Sequence, residues 1–205
     1  MLMNRIIGAF TFKREVYAEV KKDPSFTTTA WGIVIGVQLI NQIASYLAAP
    51  IIAAATINAL GGFGDLGAVG AVSTLSPVGA VIGAVIGVAA FAISVFVVQF
   101  VAKSMFQSTA TFDELVRTMG LASVWGIVGA LVILAVISPA LLCITGLVGF
   151  AAAILGAISS AIAIKEALAL DWTQTIITIV IAVVVGIVVS AVLGSVLGGL
   201  MYIGA

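Results

Sequence analysis

The central polar segment of the chain reads Lys103-Ser-Met-Phe-Gln-Ser-Thr-Ala-Thr-Phe-Asp-Glu-Leu-Val-Arg117, and it separates two long apolar runs. This segment, which we call the polar island, holds four of the sixteen charged residues. The flanking runs exceed about twenty residues and show no alternation of apolar and polar positions, which is typical of membrane-spanning helices. If these runs cross a bilayer, the island lies in water on one side of it, and the placement of every other segment follows.

The composition places the whole chain in the membrane class. Of its 205 residues 63% are apolar and 8% are charged, and the mean hydropathy is +1.35. A soluble domain carries about 25% charged residues, so this chain lacks the polar surface that water requires. Barrel strands alternate apolar and polar residues over about ten positions, and that pattern is absent. We therefore predict an all-α polytopic integral membrane protein, and the zero net charge gives no reason to expect a nucleic-acid partner.

We predict five transmembrane helices in a single domain over residues 25–205. The four prolines are each predicted to lie at an element boundary, because proline interrupts the hydrogen bonds of a helix interior. The glycine-rich stretch 50–76 is predicted to be an exterior loop. The spans are expected at about 28–49, 78–101, 116–137, 140–164 and 173–197.

Residues 1–24 are predicted to form a cytoplasmic amphipathic helix with basic residues beside its apolar face. Such a helix can lie in the headgroup plane, where anionic lipid attracts the basic side chains. The alternative is that it packs on its own bundle; we favour the surface position. Its candidate lipid or partner contacts are Lys13, Arg14, Lys21 and Lys22.

Two helix starts carry capping signals. In Thr111-Phe-Asp-Glu114 the Thr and Glu side chains have the capping-box spacing, so the third helix is expected to begin before the membrane. Asp171 and Gln174 have the same spacing at the start of the fifth span.

The distribution of basic residues sets the predicted topology. With five spans and a cytoplasmic N-terminus, all eight Lys and Arg residues lie inside, as the positive-inside rule expects. The C-terminus is then exterior or lumenal, and we expect a prokaryotic plasma membrane.

Polar and small residues inside the spans indicate helix packing. Gln38, Asn41 and Gln42 share one side of the first span, where interhelical hydrogen bonding is favoured over a substrate path because no charge accompanies the amides. Small residues at four-residue spacing predict close helix approach in the second and fifth spans. These are Gly79, Gly83 and Gly87, and Gly186, Ser190 and Gly194.

The residues offer no catalytic or metal chemistry. The chain has no His and one Cys, and no charged residue lies deep in a predicted span. Acid–base catalysis, serine nucleophiles and metal sites all need partners that are missing. We expect no enzyme, no cofactor and no metal.

Four short motifs resemble the prokaryotic branch of the Yip (Ypt-interacting protein) domain family. They cover most of the chain: Phe12-Lys-Arg-Glu-Val-Tyr-Ala-Glu-Val-Lys-Lys-Asp-Pro24, Thr111-Phe-Asp-Glu-Leu-Val-Arg-Thr-Met-Gly-Leu-Ala122, Ser159-Ser-Ala-Ile-Ala-Ile-Lys-Glu-Ala167 and Trp172-Thr-Gln174.

The resemblance implies a five-span protein that acts through partners and membranes and not through catalysis. Its expected role is to organise membranes or to scaffold other membrane proteins, or copies of itself. The alternatives are a small transport component with a neutral polar path, or an accessory subunit of a larger membrane complex. The candidate contacts in the island are Phe112, Asp113, Glu114 and Arg117.

Overall fold

The computed structural model describes the backbone of residues 2–60 and 77–203, and the side chains of residues 2–52, 54 and 77–188. Within these ranges the regular structure is entirely helical, with no strand. This confirms the predicted all-α class. The helices are α1 (Leu2–Phe10), α2 (Arg14–Lys21), α3 (Phe26–Leu60), α4 (Pro77–Phe106), α5 (Phe112–Ala122), which continues as a 3₁₀ segment (Ser123–Val136), α6 (Leu141–Leu168) and α7 (Trp172–Ile203).

The described helices fit a polytopic membrane protein. Four stretches are long and apolar enough to cross a bilayer, and the described part of α7 adds a shorter apolar one, Trp172–Val188. The predicted spans therefore correspond to helices, and the chain is an integral membrane protein. The four long stretches are Phe26–Ile52, Pro77–Phe106, Phe112–Val136 and Leu141–Leu168.

The third span, α5 with its 3₁₀ segment, lies at the centre of the bundle. It packs against α3 on one side and α6 on the other, while α4 packs on α3 and α7 packs on both α4 and α6. One end of the bundle holds the starts of α3, α5 and α7 and also the C-terminal ends of α4 and α6. We call it the charged end.

The 3₁₀ segment was not predicted, since the sequence indicated α-helix through residue 137. Its 14 residues rise about 2.0 Å each and so cover about 28 Å, close to the thickness of the hydrocarbon core. A 3₁₀ helix has about three residues per turn, so Ser123, Gly126 and Gly129 fall in one row along it.

The expectation that all four prolines lie at boundaries was wrong for Pro50. α3 runs through Pro50 to Leu60, whereas the first span was predicted to end at residue 49. A proline removes the hydrogen bond to the carbonyl four residues earlier, here that of Tyr46. Membrane helices tolerate this loss because neighbouring groups satisfy the freed carbonyl. The predicted exterior loop is thus helical as far as Leu60, and its remaining part, with Asp65, lies outside the described residues.

The single N-terminal helix was also wrong: residues 2–21 form two short helices, which we call the N-terminal hairpin. The chain turns at Thr11–Lys13, with Phe12 at a φ of 56°. Gly8 allows α1 to approach α2, because a Cβ on Gly8 would overlap the Val16 side chain. The missing side chain at Gly8 thus permits the two helices to pack closely after the chain has turned.

The buried core is concentrated at the charged end. Tyr17, Val20, Leu115 and Leu121 are fully buried there, together with residues from the end of α6. Farther along the spans, most large apolar side chains are exposed, as expected for helices whose outer faces meet lipid. Among the residues whose side chains are described, the large buried side chains are therefore concentrated at the charged end.

Candidate functional site

The charged residues of the described chain gather at the charged end. They lie on the N-terminal hairpin, at Asp23, in the polar island and around the α6–α7 connection. Asp65 is the one charged residue of the sequence that does not belong to any of these segments, and it lies outside the described residues. The spans bring these distant segments together because their helices run alternately up and down the bundle.

An ion-pair network closes the hairpin. The Arg5 guanidinium donates hydrogen bonds from Nη2 to Glu19 Oε1 at 2.6 Å and from Nη1 to Asp23 Oδ2 at 2.9 Å. It also lies over the Phe26 ring, 5.1 Å from the ring centroid. The hydrogen bond to Glu19 is the main cause that raises the pKa of Arg5. A hydrogen bond from Ser25 and then the Arg5 contact lower the pKa of Asp23.

Hydrogen bonds fasten α2 to the bundle. The Tyr17 and Ser159 hydroxyl groups share a buried hydrogen bond of 2.6 Å, and burial raises the pKa of Tyr17. Arg117 donates from Nη1 to the carbonyl of Lys21 at 2.5 Å and from Nε to the carbonyl of Asp113 at 3.1 Å. The hairpin is thereby linked to both α5 and α6.

Aromatic contacts attach the turn of the hairpin and the start of α2 to other helices. Phe12 stacks on Trp125 with ring centroids 5.6 Å apart, and Phe10 meets the same ring edge-on at 4.9 Å. Arg14 and Lys165 each place their charge 5.5 Å from the centroid of the Trp172 ring. Cation–π contacts at exposed sites contribute about 0.5–1 kcal/mol each, so the Arg14 contact helps to fix the hairpin relative to α7, and the Lys165 contact joins α6 to α7.

The polar island is tied to the neighbouring helix ends. The Thr111–Glu114 capping box forms as predicted, with both of its hydrogen bonds present, and Asp171 and Gln174 form the second pair. Ser108 Oγ donates to the carbonyl of Leu168 at 3.2 Å. The island therefore joins the α6–α7 turn in one polar surface.

The predicted contact residues occupy different environments on this surface. Lys13, Arg14, Lys22 and Asp113 are exposed. Lys21, Phe112 and Glu114 are half-buried, the last in the capping box. Arg117 is 8% exposed and bonds to backbone carbonyls, so its side chain holds helices together and does not face outward.

We predicted that the amphipathic segment lies in the headgroup plane with its apolar face toward lipid. For α2 this prediction was wrong. Its apolar residues Tyr17 and Val20 are buried against the protein's own helices, because the Ser159 and Arg117 contacts draw α2 onto the bundle. α1 differs: Leu2, Met3 and Ile7 on it are exposed.

The intramembrane amides contact glycines on two neighbouring helices. Asn41 donates its amide protons to the carbonyls of Val37 at 3.0 Å and Gly126 at 2.9 Å. A Cβ placed on Gly83 would lie 2.8 Å from the Gln42 amide oxygen, and one on Gly87 would lie 2.7 Å from that of Gln38.

The other glycines predicted to pack have different positions. Gly79 lies in the first turn of α4. Gly186 on α7 has no heavy atom of a neighbouring element within 4 Å of its Cβ position. Ser190 and Gly194 lie in α7 beyond the residues whose side chains are described.

Several residues that hold this surface together were missed by the sequence reasoning. Arg5, Ser159 and Gly8 act through partners far away in sequence, and no local pattern marks them. Gly126 and Gly129 could have been identified from the sequence. Together with Ser123 they recur every three residues, which is the spacing of one face of a 3₁₀ helix and fits the packing of that face on α3. Among the described residues there is no group of three or more His, Cys, Asp or Glu that could hold a metal ion.

Comparison with known proteins gives one family. The family profile described as Yip1 domain matches residues 7–193, a range that includes α2, the polar island, the four long apolar stretches and most of α7. No curated protein and no solved structure matches the chain.

Proposed function

The chain belongs to the Yip1 domain family, and from that membership we propose that it is a non-enzymatic membrane protein whose charged end docks partner proteins and organises the membrane around them. The observation that carries this proposal is the fastening of the N-terminal hairpin to the other helices at the charged end. The hairpin contacts α5, the 3₁₀ segment, α6 and the start of α7 through side chains. It is therefore a preformed surface and not a loose tail.

The charges left on this surface suit an acidic partner or an anionic leaflet. Lys13, Arg14 and Lys22 are exposed on the hairpin, and Lys103 is exposed at the end of α4. Arg5 is largely neutralised by Glu19 and Asp23. Basic side chains near an anionic membrane surface contribute about 1 kcal/mol each, so four of them supply a useful electrostatic attraction.

The same distribution supports a cytoplasmic charged end. All Lys and Arg residues lie in segments that meet at this one end, and cytoplasmic segments of membrane proteins are enriched in these residues. With five spans, the C-terminus then lies outside the cell or in a lumen.

A role without catalysis is supported by the chemistry of the surface. Several of its acidic residues are engaged in caps and ion pairs, as with Glu114, Asp171 and Asp23, while Glu15 and Asp113 are exposed. General acid–base catalysis needs a titratable group positioned beside a substrate pocket, and the carboxylates of Glu114, Asp171 and Asp23 stabilise the fold instead.

Glycine faces favour a second candidate, an accessory subunit or a self-associating protein. Gly32 and Gly36 on α3 and Gly146 on α6 have open space at their Cβ positions. Small residues on outer faces allow close approach of another transmembrane helix. A transport path is less favoured, because the amides of Gln38, Asn41 and Gln42 are occupied with packing between helices.

Site-specific photo-crosslinking in native membranes tests the docking proposal. A photoreactive amino acid replaces Lys13 or Lys22 on the charged end, and the control replaces Ile176, an exposed apolar residue on α7. We expect discrete protein adducts from the charged end that fall when Arg14 and Lys103 are changed to Gln. If the yield of protein adducts is the same at all positions, or if no adducts form at the charged end, partner docking at the charged end is contradicted.

A further inference from the structure

The first helix, α1, packs on the rest of the protein through its polar and small residues. Arg5 donates hydrogen bonds to Glu19 and Asp23, and Gly8 and Ala9 are buried. Arg5, Gly8 and Ala9 have the spacing of three and four residues that places them on one side of an α-helix. A surface helix of a water-soluble protein is oriented in the opposite way, with its apolar side toward the core and its charged side outward. The orientation of α1 is therefore the reverse of the one that water favours.

The other side of α1 is apolar and faces away from the protein. Met3 and Ile7 are 66% and 52% exposed, and Leu2 beside them is 45% exposed. Ile6 and Phe10 belong to the same side and are half-buried, because they pack against the core. We call Leu2, Met3 and Ile7 the α1 apolar face. Contact of this face with water is unfavourable in proportion to its area, so its position relative to the bilayer decides its role.

Contacts with Trp125 set the depth of α1. Trp125 is the third residue of the 3₁₀ segment, whose length is close to the thickness of the hydrocarbon core. The charged residues of the third span all precede this segment, from Asp113 to Arg117 on α5, as expected if the 3₁₀ segment is the part that crosses the hydrocarbon. Phe10 and Phe12 both pack on the Trp125 ring. α1 thus reaches the level at which the hydrocarbon begins, where tryptophan is common.

Two cations lie at the turn of the hairpin. Lys13 and Arg14 come directly after Phe12, are exposed, and form no ion pair with the acids of the described chain. Arg14 lies over the Trp172 ring, 5.5 Å from its centroid. Basic residues beside an interfacial helix are attracted to the phosphates of anionic lipids. The turn therefore offers positive charge close to the α1 apolar face.

We propose that α1 is an in-plane membrane anchor. Its apolar face inserts among the acyl chains of the leaflet at the charged end, and Lys13 and Arg14 bind the phosphate groups of anionic lipids in that leaflet. The face then continues the lipid contact of the spans, whose outer side chains, such as Leu147 on α6, are also apolar and exposed. A protein partner is a poorer occupant, because at this depth lipid already surrounds every copy of the chain. The anchor depends on the depth and orientation of α1 and not on partner docking at the charged end.

Spin-label accessibility of the full chain in bilayer nanodiscs that contain phosphatidylglycerol tests the anchor. Met3→Cys and Ile7→Cys, each in a Cys143→Ser background, report the α1 apolar face. Thr109→Cys in the polar island is the water-facing control, and Leu147→Cys is the lipid-facing control. Collisions of the label with molecular oxygen, which concentrates in hydrocarbon, are compared with its collisions with a water-soluble nickel chelate.

We expect the labels at positions 3 and 7 to lie about 5–10 Å below the headgroup boundary, the depth of apolar residues on interfacial helices. Collisions with oxygen there exceed collisions with nickel, as at Leu147→Cys, and Thr109→Cys gives the reverse order. Nickel collisions as frequent as at Thr109→Cys would place α1 in water and overturn the proposal. Low collision rates with both reagents would overturn it in favour of a protein that covers the face, and spin–spin broadening would identify that protein as a second copy.

Replacing the phosphatidylglycerol of the nanodiscs by phosphatidylcholine tests the phosphate contacts. The label of Ile7→Cys should move toward water when the anionic lipid is removed, and Lys13→Gln combined with Arg14→Gln should abolish this difference between the two lipids. Lys103→Gln changes another exposed cation, at the end of α4, and as the matched control it should preserve the difference. Equal label depth in both lipids, or the same loss in Lys103→Gln, would contradict phosphate binding at the hairpin turn.

Discussion

The hydroxyl groups of Tyr17 and Ser159 lie 2.6 Å apart in the buried core, although the two residues are 142 positions apart in sequence. Tyr17 belongs to the N-terminal hairpin and Ser159 to the second half of α6. Their hydrogen bond is one of the fixed points that turn a short basic segment into part of the charged end. The docking proposal depends on such contacts, because a loose segment would present its cations in no defined arrangement.

The Tyr17→Phe variant should loosen the hairpin. It removes the hydroxyl but keeps the ring, so we expect a loss of about 0.5–1.5 kcal/mol in the free energy of unfolding, the usual contribution of one hydrogen bond. Hydrogen exchange of the α2 amides in nanodiscs should rise by a corresponding factor. Ser159→Ala removes the other partner, and the double variant should cost less than the sum of the two single ones. Additive losses would mean that the two hydroxyl groups are not coupled.

Acid should open the hairpin through Asp23. The folded structure lowers the pKa of Asp23 below its ordinary 3.8, first through the Ser25 hydrogen bond and then through Arg5. The stabilisation is thus present above the ordinary pKa and is lost as pH falls through the lowered value. The spin-label distance between positions 3 and 15 should stay constant above the ordinary pKa of 3.8 and increase as pH falls below it and through the lowered pKa. Asp23→Asn should remove most of that pH dependence; a profile identical to that of the native chain would exclude Asp23 as its source.

The capping box at Thr111 should stabilise the start of the third span. Thr111→Ala loses the side-chain acceptor for the Glu114 amide, and N-cap losses of this kind cost about 0.5–2 kcal/mol. Glu114→Gln should be nearly neutral, since Gln fills the same position in capping boxes. Thr109→Ala, two residues earlier and exposed, is the matched control. Thermal unfolding in mild detergent measures all three, and equal destabilisation by Thr109→Ala would count against a specific cap.

Local chemistry explains how much of this fold was predictable. The spans and the caps at Thr111 and Asp171 follow from patterns within a few residues of each site, and the structure has them. Pro50 was wrongly predicted to end a helix. Proline rarely occurs inside the helices of water-soluble proteins, but a membrane helix tolerates it because neighbouring groups satisfy the freed carbonyl. The hairpin turn at Phe12 was missed because Arg5 finds Glu19 and Asp23 only after the chain folds back.

The close contact between α3 and α5 at Gly120 gives a further prediction. A Cβ on Gly120 would lie 3.0 Å from Ala30 Cβ and 3.2 Å from the Ala30 carbonyl oxygen. Because the backbone of Ala30 cannot move aside easily, Gly120→Leu should destabilise the protein by about 1–3 kcal/mol, as overpacked cores do. Gly186→Leu, at a position with open space, should change the unfolding temperature little. If both variants unfold alike, the two helices do not approach as closely as described.

The most direct measurement of the central claim is the sidedness of the charged end. Single cysteines at Lys22, Thr109 and Ala169, in a Cys143→Ser background, report three segments of that end, and Ser138→Cys reports the opposite end between the third span and α6. With an impermeant thiol reagent applied to intact cells, we predict labelling of Ser138→Cys alone. After the cells are opened, the three charged-end positions should all be labelled. Labelling of Lys22→Cys and Thr109→Cys from different sides, or of the charged end from outside, would contradict a cytoplasmic docking surface.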